Sequence, residues 1–308
     1  MHIIFTTLRF CRAKFLPVVI FPVLAGYVFG YRSSDCRDFN LSGLLVLLFA
    51  AAIIHLFANG INDYFDYRAG LETLIRDELG QDRNDEQGGS KLLSNNIISL
   101  HTAEKILIFL IMLIAVSGLY ILLTVDWKIT GFGAAGIILG CFYTAPPFRL
   151  SYRGIGEIII FICFGILPFL TGFYFIKEDI DAIAFLPASV FGLLTVLILF
   201  FHHFGHWRQD KKKGKKNLIV IIGPEWGIRL FKFLVFLIII LIALNSYLGI
   251  FNYFSMTLFI PMLILIRRAG SIDLENYSEV IKFLKEIIMS NFIASAVLIL
   301  ALLLDSRY

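Results

Sequence analysis

Charge is scarce in this chain of 308 residues: Asp, Glu, Lys and Arg make up 16% of it, where a soluble globular protein carries about 25%. With 58% hydrophobic residues, a folded form has too few polar groups to cover itself in water, and soluble classes are excluded. Cysteine is scarcer still. The 4 cysteines, Cys11, Cys36, Cys141 and Cys163, have none of the paired spacings of a zinc site, a redox pair or a disulfide framework, and they read as packing residues. Proline, with 8 residues, is too sparse to interrupt long helices often. The net charge of +4 comes mostly from inner loops, so it reports topology and attraction to anionic lipid and makes no case for nucleic acid.

What the chain has instead is long apolar runs. Stretches near residues 15–31, 42–62, 105–125, 129–145, 155–176, 183–204, 227–248, 251–266 and 287–304 approach the ~20 residues needed to cross a bilayer core of ~30 Å. They predict an all-α integral membrane protein with nine transmembrane helices in one bundle. The run after Arg9, Arg12 and Lys14 is too long for a secretory h-region and is read as a retained span. With the amino terminus inside, 22 of the 27 Lys and Arg residues fall in inner segments, so the positive-inside rule predicts N-terminus in and C-terminus out. No linker divides the chain, and residues 1–308 read as one domain. Its two longest polar stretches, 67–104 and 205–226, are cytoplasmic loops expected to cap a cytoplasm-facing cavity.

Two polar stripes break the apolar pattern just before those loops. Asn59, Asp63 and Asp66, with Asn62 beside them, share a helix face through three- and four-residue steps, as do His202, His206 and Asp210. An ionised Asp near the bilayer centre costs roughly 2.5–3.5 kcal/mol on insertion scales, so these side chains should line a cavity and meet a partner such as a cation. A transporter would continue its polar residues across the full membrane depth. Here the outer halves of both helices are almost wholly apolar. Zinc or iron on His202, His206 and Asp210 lacks evident further ligands. Taken from the residues alone, the acids suit Mg²⁺ bridging to an anion, and the basic residues of the second loop suit the anion itself.

The stretch Asn62-Asp63-Tyr64-Phe65-Asp66-Tyr67-Arg68-Ala69-Gly70, preceded by Asn59, resembles the first aspartate-rich motif of the UbiA family of intramembrane prenyltransferases. The segment from Asp210 through Lys211, Lys212, Lys213, Gly214, Lys215, Lys216 and Asn217 is similar to the basic segment after that family's second acidic motif. Tyr143-Thr144-Ala145-Pro146-Pro147-Phe148-Arg149-Leu150, with Tyr152, Arg153 and Glu157, resembles the branch acting on 1,4-dihydroxy-2-naphthoate in menaquinone and phylloquinone synthesis. Gly88-Gly89-Ser90 and Leu16-Pro17 point to the same branch. The resemblance implies Mg²⁺-dependent transfer of a polyprenyl group from its diphosphate to a small aromatic acceptor, with loss of the naphthoate carboxylate, in a bacterial cytoplasmic membrane among lipids. It implies Asp63, Asp66, Asp210 and His206 as catalytic residues and Asp63, Asp66, Glu72 and Asp210 around the metal. Asn59, Asn62, Arg68, Tyr143, Arg149, Arg153, His202, Lys212 and Lys215 are then expected to bind substrate.

The chain departs from the family pattern at three places. His206 stands where the second motif has its first acid, and because neutral imidazole is a poor Mg²⁺ ligand it is expected to hydrogen-bond diphosphate, a metal-bound water or the acceptor. Gly70 replaces a third acid, with Glu72 as its substitute. Ser151 stands where a Lys often follows the Pro-Pro turn. A benzoate, haem vinyl or lipid-headgroup acceptor, or a non-catalytic isoprenoid-binding relative, are the competing readings.

Overall fold

A computed structural model of the chain describes residues 2–34, 39–70, 90–212 and 214–304. A short amphipathic helix, α1 (His2–Phe10), precedes α2 (Pro17–Arg32), which opens with Pro at its first position, where no backbone N–H is needed. α3 (Leu41–Arg68) starts where the Asn40 side chain accepts from the Gly43 N–H. α4 (Leu100–Thr124) and α5 (Trp127–Thr144) are capped in the same way by Ser99 and Asp126. α6 (Gly156–Phe161), a π-helical turn at Ile162–Ile166 and α7 (Leu167–Lys177) run on as one rod. α8 (Phe185–Phe204) returns, followed by the short α9 (Trp207–Lys212) and α10 (Leu218–Ile222). α11 (Pro224–Tyr247), α12 (Phe259–Ala269) and α13 (Tyr277–Leu303) complete the chain.

The described residues are helical, with no strand beyond an isolated bridge between Arg153 and Lys216. Among them, seven helices are long and apolar enough to cross a membrane: Ala13–Arg32, Leu41–Arg68, Leu100–Thr124, Gly156–Lys177, Ala182–Phe204, Pro224–Tyr247 and Tyr277–Leu303. The other two expected spans are helical but fall short of that measure. One is α5, whose 18 residues include Lys128 and four glycines. The other is α12, an 11-residue helix reached through a 3₁₀ turn at Tyr253–Leu258; the sequence window had merged turn and helix into one apolar run.

The packing explains why the rods hold together without water-soluble surfaces. α2 and α7 touch backbone to backbone: a Cβ on Gly26 would lie 1.9 Å from the Phe169 carbonyl oxygen, and one on Gly172 would lie 2.1 Å from that of Val23. Small residues are what allow such approach between membrane helices. A second close contact joins the π-helical turn to α8, where a Cβ on Gly165 would come within 2.2 Å of the Gly192 Cα. Phe191, Phe200, Phe201, Phe204, Phe231 and Phe283 fill the interior beside it, with Phe201 and Phe283 edge to face at 4.7 Å between ring centres. Outward, α4 exposes Ile108, Met112, Val116, Leu119 and Leu123, an apolar face suited to lipid chains.

Hydrogen bonds sort the two ends of the bundle. At one end Tyr174 donates to Asp126, 2.9 Å, and Lys177 to the Ser33 carbonyl, 2.6 Å. At the other, Arg12 meets Asp63, Tyr152 meets Asp66 and Asn217 meets Asp210. The starts of α2 and α6 and the ends of α3, α5 and α8 therefore share one face, and both polar stripes lie there.

Candidate active site

A cavity of about 590 Å³ opens at this shared face. From α3 it takes His55, Asn59, Asn62 and Asp66; from α8 and the following turn, His202, His203 and His206; from α9 and the basic loop, Asp210 and Lys215. The segment before α2 adds Arg9, Arg12 and Lys14. Further into the bundle, past the start of the α6 rod and before the end of α8, its lining is apolar: Ile160, Phe164, Ile198 and Leu199. The π-helical turn contributes Phe164, in keeping with the frequent use of such turns at functional sites. One end of the space is thus charged and the other oily.

Asp66, Asp210 and Lys215 all line this cavity. Asp66 accepts a hydrogen bond from the Tyr152 hydroxyl at 3.1 Å, and Asp210 accepts one from the Asn217 amide at 2.6 Å. Burial first, and then the Asp66 carboxylate, push the Tyr152 phenol above its ordinary pKa, so it stays a donor. Tyr152 also lies under two cations, Arg149 at 5.7 Å and Lys215 at 5.4 Å from its ring centre. The loop that follows the Pro-Pro turn is stitched to the basic loop by Lys216 N–H donating to the Tyr152 carbonyl at 3.3 Å. The two segments that the sequence marks as motifs are therefore one structural unit.

Asp63 departs from the expected convergence. It is 1% exposed, stands behind the cavity wall, and accepts from the Arg12 guanidinium and the Ser90 backbone N–H. A carboxylate this deep is costly unless paired, and Arg12 is the cation that reaches it. Among the described residues, no three His, Cys, Asp or Glu side chains come together as a metal site of their own. Mg²⁺ does not require one: it commonly takes one or two carboxylates and completes its octahedron with water and phosphate oxygens. Asp66 and Asp210 in the wall, with Asn62 Oδ1 buried and lacking a partner, fit that mode.

His206 lies in the wall with both ring nitrogens buried and unpartnered. Its pKa is pushed down to about 4, chiefly by burial, against the pull of Asp210. The imidazole is therefore neutral near neutral pH. Its ring centre is 5.2 Å from that of His202.

Four expected substrate-binding cations are not brought into the cavity. Arg68 is exposed and lies over the Tyr64 ring. Arg149 and Arg153 are exposed on the outer side of the Pro-Pro loop, Arg153 donating to the Pro147 carbonyl at 3.3 Å. Lys212 is exposed, two residues past Asp210 and so on another face of the helix. Glu72, Cys36 and most of the acidic loop lie outside the described residues. The cations that do line the cavity include Arg9, Arg12 and Lys14, whose place before the first span also marks its orientation. Unforeseen is the contact of His203 Nδ1 with Glu157 Oε1 at 3.1 Å, between α8 and α6.

Comparison with known proteins agrees with this architecture. The 2-carboxy-1,4-naphthoquinone phytyltransferase of Synechocystis sp. is 28% identical over 216 residues, 68% of this chain and 64% of that protein. The 1,4-dihydroxy-2-naphthoate octaprenyltransferase of Haemophilus influenzae is 27% identical over 222 residues, 70% of this chain and 68% of that one. The chain thus spans about two thirds of these relatives' lengths, and slightly less for the first. A solved UbiA homolog from Archaeoglobus fulgidus bound to DMAPP and Mg²⁺ superposes with a TM-score of 0.64 at 18% identity, over 94% of this chain and 99% of that one, and so shares its fold. The model of the UbiA prenyltransferase family matches residues 19–296, and the chain belongs to that family.

Proposed function

We propose that this chain transfers a polyprenyl group from its diphosphate to an aromatic acceptor, with 1,4-dihydroxy-2-naphthoate favoured, in the manner of menaquinone-pathway enzymes. The observation that carries this is the single cavity with Asp66, Asp210, Lys215 and Arg12 at one end and Ile160, Phe164 and Ile198 at the other. A diphosphate belongs at the charged end and a prenyl tail at the oily one. The two relatives described above are named for phytyl transfer to 2-carboxy-1,4-naphthoquinone and octaprenyl transfer to 1,4-dihydroxy-2-naphthoate. In this reading the bundle crosses nine times, α5 and α12 serving as its two short spans. The cavity faces the cytoplasm, with N-terminus in and C-terminus out, in a bacterial cytoplasmic membrane.

Asp66, Asp210 and Asn62 would hold Mg²⁺, which would supply charge neutralisation to the diphosphate. Arg12, Lys14 and Lys215 face the same oxygens. These cations act more strongly on the departing diphosphate than on the intact ester, because charge grows there as the allylic C–O bond breaks. Asp63 fixes Arg12 in position. Neutral His206, with both ring nitrogens unpartnered, would donate a hydrogen bond to the diphosphate. The apolar wall excludes water, which would otherwise capture the allylic cation before the aromatic carbon does.

The test is to supply the purified protein with a prenyl diphosphate, Mg²⁺ and a panel of aromatic acids that includes 1,4-dihydroxy-2-naphthoate and 4-hydroxybenzoate, then to identify lipid products by mass spectrometry. A prenylated naphthoquinone precursor is expected. Diphosphate binding with no product from any acceptor overturns the assignment.

A further inference from the structure

Of the chain's six histidines, four line the cavity: His55, His202, His203 and His206. His203 alone among these four is hydrogen-bonded to a carboxylate. Its Nδ1 lies 3.1 Å from Glu157 Oε1, and the two side chains are only 6% and 8% exposed. The second Glu157 oxygen, Oε2, is buried without a partner.

Holding α6 against α8 does not require this pair. The rod that begins with α6 is already locked to α8 at Gly165 and Gly192, where the backbones meet. Apolar side chains would close the remaining gap without the desolvation cost of a buried acid between membrane helices. The pair has a chemical consequence instead. A carboxylate at Nδ1 fixes the tautomer with hydrogen there, which leaves the lone pair on Nε2, and the ring forms part of the cavity wall. This is a base oriented by an acid behind it. Tyr143, whose hydroxyl lies 3.4 Å from the point a Cβ on Gly156, the neighbour of Glu157, would occupy, lines the same cavity with Ile160 and Phe164, side chains suited to a flat ring.

We propose that His203 is a catalytic residue that takes the hydroxyl proton of a phenolic acceptor, with Glu157 as its positioning residue. The inference rests on the proposed prenyl transfer and names the acceptor class, an aromatic ring bearing a free hydroxyl. As the allylic C–O bond breaks, its electron pair leaves with the diphosphate. The acceptor O–H proton moves to Nε2, and the electron density released makes the ring carbon form the new C–C bond. The carboxylate then leaves that carbon as CO2, its bond pair restoring the aromatic ring and placing negative charge on the oxygen, and Nε2 returns the proton there; where the carbon bears hydrogen instead, that proton passes to the released diphosphate.

His203→Asn tests this directly, because the Asn amide still donates to Glu157 while no atom remains at the Nε2 position. Steady-state kinetics of the full-length protein with Mg²⁺, geranylgeranyl diphosphate and 1,4-dihydroxy-2-naphthoate should show kcat lower by about 10²-fold, the lower end for lost general-base catalysis. KM for the diphosphate should stay within about twofold. Glu157→Gln should lower kcat about tenfold with the same unchanged KM. A monomethyl ether of the acceptor should slow the wild type and leave His203→Asn no slower than with the free hydroxyl. Wild-type kcat in His203→Asn, a rise confined to the diphosphate KM, or an equal methyl-ether penalty in both proteins overturns the proposal. A wild type that binds diphosphate but prenylates nothing marks failure of the proposed function itself.

Discussion

In the first polar stripe Asp63 gives its oxygens to Arg12 and to the Ser90 N–H; in the second, both ring nitrogens of His206 are buried and take no partner. The stripes lie at the ends of α3 and α8, yet Asp63 in the first is satisfied by the protein while His206 in the second has no hydrogen-bond partner within it. The difference follows from position. Asp63 can be reached by a cation from the segment before α2, whereas His206 faces a space bordered by Asp210 and Lys215. A ligand arriving at the first stripe finds a built cation, Arg12, and at the second it finds unused hydrogen-bonding capacity. Asp66 belongs to the open set, since its hydrogen bond comes from a neutral phenol, which leaves its charge available to a metal.

Removing the charge at Asp66 should break this arrangement most severely. Asp66→Asn keeps the shape and an acceptor for Tyr152 but loses the anion facing the metal, and prenyl transfer should fall by at least about 10³-fold. Product formation across a Mg²⁺ titration, with thermal stability measured in the same detergent, separates this loss from unfolding. Turnover unchanged by the substitution would remove the first stripe from the chemistry.

The closed half of the comparison is sharpened by stability. Arg12→Ala leaves Asp63 buried and unpaired, which should cost about 3–5 kcal/mol. Asp63→Ala should cost less, because Arg12 is 21% exposed and can turn its guanidinium to the cavity. Denaturation midpoints of the two variants should therefore rank Arg12→Ala below Asp63→Ala. The reverse order would mean that Asp63 draws its stability from Ser90 rather than from the ion pair.

The sequence made the spans and the stripes legible because both are local. An apolar run or a four-residue step needs only helical geometry to interpret. That spacing singles out Asp66 and Asp210, which line the cavity. What escaped were contacts between distant segments: Arg12 meets Asp63 across 51 positions and His203 meets Glu157 across 46. The basic residues before α2 carried two meanings at once, topology and chemistry, and periodicity speaks only to the first. Arg68 and Lys212 lie outside the cavity lining. Each is two residues from a cavity acid, and a two-residue step along a helix turns the side chain to a different face.

The smallest effect is expected at the open end. His206→Asp restores the acid that the family motif carries there, and prenyl transfer should stay within about threefold of wild type or rise, since the neutral imidazole supplies no more than a hydrogen bond. The pH behaviour of the metal-free protein separates the two side chains. Burial holds the wild-type imidazole pKa down at about 4, below the ~6.5 of an unfolded histidine. The unfolded chain therefore binds the proton first, and the stability present above pH ~6.5 is lost as pH falls toward 4. An Asp at position 206 faces Asp210 one helical turn away, and this like charge favours protonation in the fold. The variant should hold or gain stability over the same acid range. Thermal midpoints at pH 7 and pH 5 then move apart for the two proteins, and parallel shifts would show that His206 is not the buried neutral group on which the contrast between the stripes depends.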